Sequence, residues 1–261
     1  MNKTELHRLK SWFSQYTNQF SSPDSLHREA YGIKIGHSAR VSRICGDIGR
    51  SLRLNDEDIS LAETIGLFHD IGRFEQYRIY NTYLDKKSEN HAELGVKVLQ
   101  EYRLLEHLDS DSQDIIRNAI SCHNRLRLPA EVSPRSVLFS KLIRDADKLD
   151  IFDLVMNHYR GNGRSAVIEL DLPDEPGYST GILSDLFAHQ LVDMKKMRTL
   201  NDFKLIQMGW VYDLNFPITI KTVQERRYLE AIRKSLPASG EIDEALAYLN
   251  EYLERARRRE G

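Results

Sequence analysis

The stretch from Gly66 to Tyr77 reads GLFHDIGRFEQY and places a His-Asp pair directly after an apolar run. Burying two polar side chains of this kind costs several kcal/mol unless each finds a partner. His69 and Asp70 therefore either lie exposed at a helix end or are held by a group that interacts favourably with both. A divalent metal ion is such a group. The other histidines and acidic residues of the chain distinguish these two cases.

Apolar residues in the first part of the chain recur at helical spacing. From Val41 to Leu52 they lie three or four residues apart, which indicates one face of a helix that His37 opens. Asn55 or Asp56 is placed to cap a second helix, which ends at the His-Asp pair. The pair is therefore predicted at a helix terminus.

Further helices are predicted downstream of the pair. Asn90 can cap one helix, and another ends at His123. The segment VLFSKLIRDADKLDIFDLVMNHY, from Val137 to Tyr159, is typical of a long and largely apolar helix. Strand-like alternation is nearly absent apart from a short extended piece at 167–172. The predicted fold class is therefore all-α.

The sequence is predicted to form a single domain, because neither an internal repeat nor a linker rich in Gly, Ser or Pro divides it. Its three regions are an N-terminal helical extension at 1–24, a core at 25–160, and a loop with C-terminal helices packed on that core at 161–261. The loop spans residues 160–181, which are rich in Gly and Pro. Helices are predicted beyond it at 183–200, at 225–234 and from residue 239 onward.

Composition excludes several classes of protein. The net charge of −2 argues against a general binder of nucleic acids or membrane surfaces. Two cysteines, Cys45 and Cys122, do not build a disulfide framework. No apolar run approaches the roughly 20 residues that cross a bilayer, and the N-terminal residues lack the apolar segment of a signal peptide. We therefore expect a soluble, cytoplasmic protein with no membrane partner.

Five positions on the predicted helices carry side chains that commonly bind metals. They are His37, the His69-Asp70 pair, His91, His123 and Asp145. Asp145 follows Leu138 and Leu142 at helical spacing, which predicts an inward-facing carboxylate. A lone histidine at the margin of an apolar face is more often a hydrogen-bonded core residue than a ligand. Asp145 alone could equally cap a helix or pair with Arg144 or Lys148.

The joint pattern favours a metal site over these separate explanations. Burying so many unpaired titratable groups is very unfavourable, whereas one or two divalent cations satisfy them together. A set of imidazoles and carboxylates without cysteine suits Fe, Mn, Co, Ni or Zn. Asp70 can reach one metal with each carboxylate oxygen and thereby bridge two ions.

The order of these residues resembles the HD-domain superfamily of metal-dependent phosphohydrolases. The similarity is carried by HSARV at 37–41, FHDIGR at 68–73 and RDADKLD at 144–150, and it covers residues 25–160. The resemblance implies an HD-domain helical bundle with additional C-terminal helices. The GYP tripeptide that marks the cyclic-di-GMP phosphodiesterases of this superfamily is missing, so that substrate is not predicted.

Two histidines between the pair and the last aspartate resemble the six-ligand, dinuclear branch of the superfamily. The resemblance implies that one metal is held by His37, His69, Asp70 and Asp145. It implies that Asp70 bridges to a second metal, which His91 and His123 complete. The expected cofactor is one or two divalent transition metal ions.

The same resemblance implies roles in catalysis. Asp70 is expected to orient the nucleophile as well as to bridge, and Arg73 and Lys148 are expected to offset the charge that develops on the phosphoryl group. Further cations near the motifs, which are more often surface residues, are Arg40, Arg125 and Arg144. Asp147 is interpreted either as a support for a ligand or as a surface carboxylate.

The predicted function is hydrolysis of a phosphomonoester or phosphodiester by a metal-activated water. The expected partner is a small phosphorylated substrate, such as a nucleotide, rather than a long nucleic acid. Two alternatives use the same residues. One is a di-iron oxygenase with the same ligand set, and the other is a degenerate HD domain that binds a nucleotide without turning it over.

The ligand set predicts the metal content of the protein. After anaerobic purification we expect about two metal ions per chain, falling to about one in His91→Ala, because only the second ion depends on this imidazole. Elemental analysis per chain measures both values. An equal metal content of one in the two proteins would show a mononuclear site in which His91 is a structural histidine.

Overall fold

In the computed structural model, which describes residues 1–130, 132–161 and 165–258, helices are the only regular secondary structure of the described residues. The predicted all-α fold class is confirmed. The chain divides into two compact units, Met1–Asp150 and Ile151–Gly261. The assignment of residues 1–24, 25–160 and 161–261 to regions of a single domain stays a prediction.

The first unit contains seven helices within its described residues, the last of which continues into the second unit. They are α1 Lys3–Thr17, α2 Ser25–Ser51, α3 Asp56–Phe68, α4 Gly72–Tyr80, α5 His91–Glu101, α6 Ser110–Cys122 and α7 Pro134–Arg160. Short 3₁₀ turns lie at Asn18–Phe20 and Asp85–Lys87.

The second unit carries shorter helices and a long terminal one. They are α8 Thr180–Phe187, α9 Leu200–Gly209, α10 Pro217–Arg226, α11 Tyr228–Lys234 and α12 Gly240–Arg258, with 3₁₀ turns at Met194–Lys196 and Trp210–Asp213. The buried face of α12 consists of Ile242, Ala245, Leu249 and Leu253, which have the spacing of an amphipathic helix. None of the helices in the described residues combines the length and the apolarity needed to span a membrane.

The helix starts that bear on the site are set by local capping. The side chain of Asn55 accepts a hydrogen bond from the Asp58 amide at the start of α3, which confirms this cap. Asn90 caps α5 in the same way by accepting from the Ala92 amide. These caps fix the first turns of α3, which leads to His69, and of α5, which begins with His91.

Helix α2 begins earlier than the sequence pattern suggests. The helix starts at Ser25, where Asp24 caps it by accepting from the His27 amide, so the prediction that His37 opens its helix is wrong. Weak apolar periodicity at 25–36, which includes two glycines, hides this first part of the helix. Burial of Ala30 and Tyr31 in the core nevertheless stabilises it.

Three predictions for the C-terminal part are also corrected. The segment 167–172 forms turns rather than an extended piece, and Leu170 and Asp171 have left-handed φ angles of 55° and 52°. The helix predicted at 183–200 is wrong beyond Phe187, where α8 ends, since a 3₁₀ turn at Met194–Lys196 precedes the start of α9 at Leu200. Arg227, with φ of 54°, separates α10 from α11 within the helix predicted at 225–234.

An aromatic cluster holds α1 against the chain on both sides of the His-Asp pair. Phe13 of α1 contacts Phe68, at the end of α3, with ring centroids 5.8 Å apart. Phe13 also contacts Phe74, near the start of α4, at 6.0 Å. Burying each such ring contributes about 1.5–3 kcal/mol. The cluster therefore fixes the short connection that carries His69 and Asp70.

Two glycines permit the close helix contacts around this connection. A Cβ atom on Gly66 would lie only 2.8 Å from the Cys45 sulfur of α2. A Cβ atom on Gly72 would overlap the backbone of His91 and Gly95 in α5. The absence of side chains at Gly66 and Gly72 therefore lets α2 and α5 approach the His-Asp pair from two directions.

Substituting these glycines tests the close approach. We expect Gly72→Ala to lower the free energy of unfolding by about 1–3 kcal/mol, because the added methyl group overpacks the contact with α5. Gly32→Ala is the matched control, since a Cβ atom there meets nothing within 4 Å. That exposed helical substitution should instead raise stability by about 0.4–1 kcal/mol. Urea unfolding measures both changes, and equal effects would contradict the proposed packing role of Gly72.

Candidate metal centre

Four buried histidines converge from four helices of the first unit. His37 lies in the middle of α2, and His91 is the first residue of α5. His69 and His123 are the C-terminal cap residues of α3 and α6. Each of the four is at most 6% exposed. The predicted helix-terminal positions of His69, His91 and His123 are thus confirmed.

The first group of donor atoms is formed by His37, His69, Asp70 and Asp147. The Nε2 atoms of His37 and His69 lie 3.1 Å apart. Asp147 Oδ1 lies 3.1 Å from the first of these nitrogens and 3.5 Å from the second. Asp70 Oδ2 lies 3.5 Å from His37 Nε2 and 3.8 Å from His69 Nε2. All four side chains therefore direct a donor atom into one small volume.

The second group uses the other oxygen of Asp70. The Nε2 atoms of His91 and His123 lie 3.0 Å apart. Asp70 Oδ1 lies 3.4 Å from the nitrogen of His91 and 3.8 Å from that of His123. The Asp70 carboxylate consequently lies between two pairs of imidazoles and presents one oxygen to each pair.

The orientation of the four imidazoles fits metal binding. Two rings contact carboxylates through Nδ1: His37 contacts Asp150 Oδ2 at 2.7 Å, and His91 contacts Asp85 Oδ2 at 2.8 Å. The other two contact carbonyls through Nδ1: His69 contacts that of Gly66 at 2.8 Å, and His123 contacts that of Ile120 at 2.7 Å. A carbonyl oxygen only accepts, so Nδ1 of His69 and of His123 carries the proton. In the neutral ring Nε2 then keeps its lone pair, which is the form that ligates a metal.

The distances between donor atoms provide a second test of the fit. Two nitrogen lone pairs that face each other across 3.0 Å, as in His91 and His123, repel unless a cation or a proton lies between them. Metal–nitrogen bonds of about 2.0–2.1 Å place neighbouring ligands roughly 2.8–3.4 Å apart in octahedral or tetrahedral geometry. The shortest separations in both groups match this range. The residues present therefore fit divalent metal ions.

Burial and charge set the protonation of the donors. Burial, together with repulsion from His91 and His69, lowers the pKa of His123 to about 3, so its imidazole is neutral near pH 7. Burial also lowers the pKa of His91. Burial opposes ionisation of Asp70, but the positive charge of Lys34 and of neighbouring groups holds its pKa well below the usual value. The position between the two imidazole pairs is therefore occupied by a carboxylate rather than a carboxylic acid.

His37 differs from His91 and His123 in the direction in which its pKa is shifted. Burial lowers its pKa, but hydrogen bonds with Asp147 and Asp150 outweigh that effect and raise the pKa above the ordinary value. The same contacts, with those of His69, hold the pKa of Asp147 well below its usual range against the effect of burial. A cation that binds His37 Nε2 therefore competes with a proton, and metal binding releases that proton.

Asp147, rather than Asp145, provides the carboxylate that the structure brings to His37 and His69. Asp145 is fully buried but belongs to none of the groups of metal-ligating atoms found among the described residues. Helix α7 is buried around most of its circumference near these residues. Apolar spacing therefore cannot choose between two carboxylates that lie two residues apart. Asp147 and Asp150, one turn apart, both contact His37.

The two side chains predicted to offset the phosphoryl charge, Arg73 and Lys148, have different surroundings. Arg73 Nε lies 3.4 Å from Asp70 Oδ1, while its Nη1 donates to the Tyr83 carbonyl and to Asp85. Lys148 is 9% exposed, and its ammonium donates to the Arg144 carbonyl at 3.4 Å. The structure therefore brings Arg73 to the carboxylate of Asp70, and it places Lys148 on α7 with a hydrogen bond to the carbonyl one turn earlier.

The remaining arginines near the motifs support the scaffold. Arg40 makes two hydrogen bonds to Asp150, from Nε at 2.6 Å and from Nη2 at 2.9 Å, and so holds the carboxylate that orients His37. Arg144 is buried and donates to the carbonyls of Cys122 and His123 at the end of α6. Such a cation satisfies unpaired carbonyls at a helix C-terminus.

Three contributors were missed by the sequence reasoning. Lys34 lies one turn before His37 on α2 and contacts Asp70, a position that helical spacing from His37 could have suggested. Asp150 lies within the RDADKLD segment and could have been considered with Asp147. Asp85 lies in a 3₁₀ turn, and no periodic signal marks it.

Comparison with known proteins agrees with the geometry. Residues 35–151 match the family model of the HD domain. Ribonuclease Y of Staphylococcus epidermidis is 29% identical over 47% of this chain and 19% of its own length. Ribonuclease Y 1 of Pediococcus pentosaceus is 26% identical over 55% of this chain and 27% of that protein. Ribonuclease Y of Bacillus licheniformis is 26% identical over 65% of this chain and 32% of that protein.

The matching region is thus a minor part of these relatives. The chain covers between 19% and 32% of their lengths. No solved structure matches the chain.

The two aspartates of α7 can be told apart by substitution. We expect Asp147→Asn to weaken binding of the first metal by at least about tenfold, because an amide oxygen replaces a charged donor. Asp145→Asn, two residues away, should leave metal affinity unchanged. Titration of the metal-free proteins with manganese measures both affinities, and thermal melting shows whether each variant folds. Loss of affinity in Asp145→Asn alone would restore Asp145 as the ligand.

Proposed function

Because residues 35–151 form an HD domain, we propose that this protein cleaves a phosphomonoester or phosphodiester at a dinuclear His/Asp site. The HD domain places the chain among metal-dependent phosphohydrolases at the level of the superfamily. The observation that carries the finer proposal is the position of Asp70, which presents one oxygen to each of two imidazole pairs. A carboxylate placed in this way is suited to bridge two ions.

We assign the donors to two ions. The first would be held by His37, His69, Asp147 and Asp70, and the second by His91, His123 and Asp70. Asp147 takes the place that the resemblance assigned to Asp145. The donor set is compatible with Fe, Mn, Co, Ni or Zn. Such ions, when bound, supply a water nucleophile of lowered pKa and neutralise phosphoryl oxygens.

The residues of the chain prepare the site for this chemistry. Asp70 is ionised, and the Nδ1 contacts of the histidines keep each ring in one orientation. Burial of the imidazoles excludes bulk water, which strengthens the electrostatic interactions within the site. Arg73 adds positive charge beside Asp70, where negative charge develops on the phosphoryl group during hydrolysis. Preorganised charge of this kind favours the transition state over the bound substrate.

For the substrate we propose a phosphoester of a nucleotide or of another small molecule. The relatives are named ribonucleases, which supports a phosphodiester between nucleotides as one member of this class. The sequence-based expectation that a long nucleic acid is not bound rests on a net charge of −2. RNA of increasing length therefore belongs among the compounds to be tested.

Hydrolysis by the manganese-loaded protein under strict anaerobiosis tests the proposal. The substrates are p-nitrophenyl phosphate, bis(p-nitrophenyl) phosphate, a dinucleotide and a short RNA. We expect turnover of at least one of them, and a loss of at least about 10³-fold in kcat/KM in Asp70→Asn, because both ions share this carboxylate. Asp114→Asn, which changes a carboxylate that is 69% exposed on α6, is the matched control.

Two results would contradict the phosphohydrolase assignment. Turnover that requires both iron and O₂, with none under anaerobiosis, would establish the di-iron oxygenase alternative. Stoichiometric metal binding without turnover of any phosphoester, combined with nucleotide binding, would establish a non-enzymatic binding module.

A further inference from the structure

A lysine that no sequence motif marks lies beside the bridging carboxylate. Lys34 is in α2, one turn before His37, so both side chains project from the same face of the helix. Its Nζ atom lies 2.7 Å from Asp70 Oδ2, the oxygen that faces His37 and His69. The ammonium therefore donates a hydrogen bond directly to the carboxylate at the centre of the site.

The side chain is held in this place by an aromatic ring. Lys34 Nζ lies 5.3 Å from the centroid of the Tyr83 ring, at a distance typical of a cation–π contact. Tyr83 is buried, and its hydroxyl donates to the Ala30 carbonyl of α2 at 3.0 Å. The ring and the lysine are thus anchored to the same helix. This arrangement positions the ammonium instead of leaving it mobile in solvent.

The ammonium of Lys34 has N–H groups that remain able to donate after its hydrogen bond to Asp70. An ammonium has three N–H groups, and among the described residues that of Lys34 makes one hydrogen bond, to Asp70. Arg73 uses Nη1 for Gln76, for the Tyr83 carbonyl and for Asp85, whereas its Nε has no hydrogen-bond partner among the described residues. Lys34 consequently keeps N–H groups beside Asp70 that can donate to an incoming anion.

Solvent reaches the centre on the side of Lys34. The side chains of the four histidines and of Asp70 are at most 4% exposed. Those of Lys34 and Asp147 are 17% and 20% exposed. A ligand that enters from solvent toward the first group of donors therefore meets these partly exposed side chains before the imidazoles.

We propose that Lys34 is a catalytic residue that donates a hydrogen bond to a phosphoryl oxygen of the substrate while its contact with Asp70 holds it in place. This inference rests on the proposed phosphohydrolase function and assigns the phosphate contact to a residue outside the HD motifs. Fixed positive charge at this point stabilises the additional negative charge of the transition state. The competing explanation is that Lys34 only neutralises Asp70.

Three variants separate the two roles. Lys34→Met removes the charge, Lys34→Arg keeps it, and Lys97→Met removes an exposed lysine of α5 that pairs with Glu89. The readouts are manganese content, the affinity of the manganese-loaded protein for inorganic phosphate by calorimetry, and kcat on the best substrate. If Lys34→Met does not fold, Lys34→Gln takes its place.

We expect Lys34→Met to keep its manganese, to bind phosphate about tenfold more weakly and to lose about 10²-fold in kcat, as for other removed transition-state donors. Lys34→Arg should recover part of both losses, and Lys97→Met should match the wild type. Unchanged phosphate affinity in Lys34→Met would overturn the inference. Loss of manganese would also overturn it, because Lys34 would then act only by supporting Asp70.

Failure of the proposed function can be recognised separately. If the wild type hydrolyses no phosphoester, the phosphohydrolase assignment fails, but the phosphate titration still decides the role of Lys34. Weaker phosphate binding in Lys34→Met would then support an anion contact at a site of different chemistry. A wild type that binds no phosphate would overturn the inference about Lys34.

Discussion

The structure around the His-Asp pair depends on one carboxylate, because Asp70 is buried and ionised between four imidazoles. An isolated buried carboxylate is very unfavourable, so the surrounding groups must either pair with it or coordinate ions together with it. Lys34 and Arg73 provide part of this compensation from α2 and α4. The lone pairs of the histidines repel one another unless a cation or a proton lies between them. The arrangement is favourable only when all of these elements converge on Asp70.

The scaffold achieves this convergence through helix termini and close helix contacts. His69 and His123 end their helices, and each uses its Nδ1 atom to bind a carbonyl of the preceding turn. A single local hydrogen bond therefore fixes both the helix end and the ring orientation. Gly66 and Gly72 allow α2 and α5 to approach the pair so closely that any side chain would interfere. Carboxylates support the other two imidazoles in the same way as these carbonyls.

Much of this could be predicted from the sequence because the signals are local. The caps Asn55 and Asn90 and the helix-terminal positions of the histidines follow from neighbouring residues. The start of α2 was missed because burial against the core, rather than its own periodicity, stabilises its first turns. The helices of the second unit were misjudged for a related reason. A left-handed residue such as Arg227 interrupts a helix without a glycine or proline to mark it.

The sequence by itself determined the residue types of the site and their order along helices, because capping and short-range spacing depend only on adjacent residues. The tertiary structure decided which carboxylate of α7 meets His37, since Asp145 and Asp147 both belong to a helix that is buried on most sides there. It also placed Lys34 and Asp85 at the centre. Such contacts depend on how helices rotate and pack against one another, and no local pattern encodes that rotation.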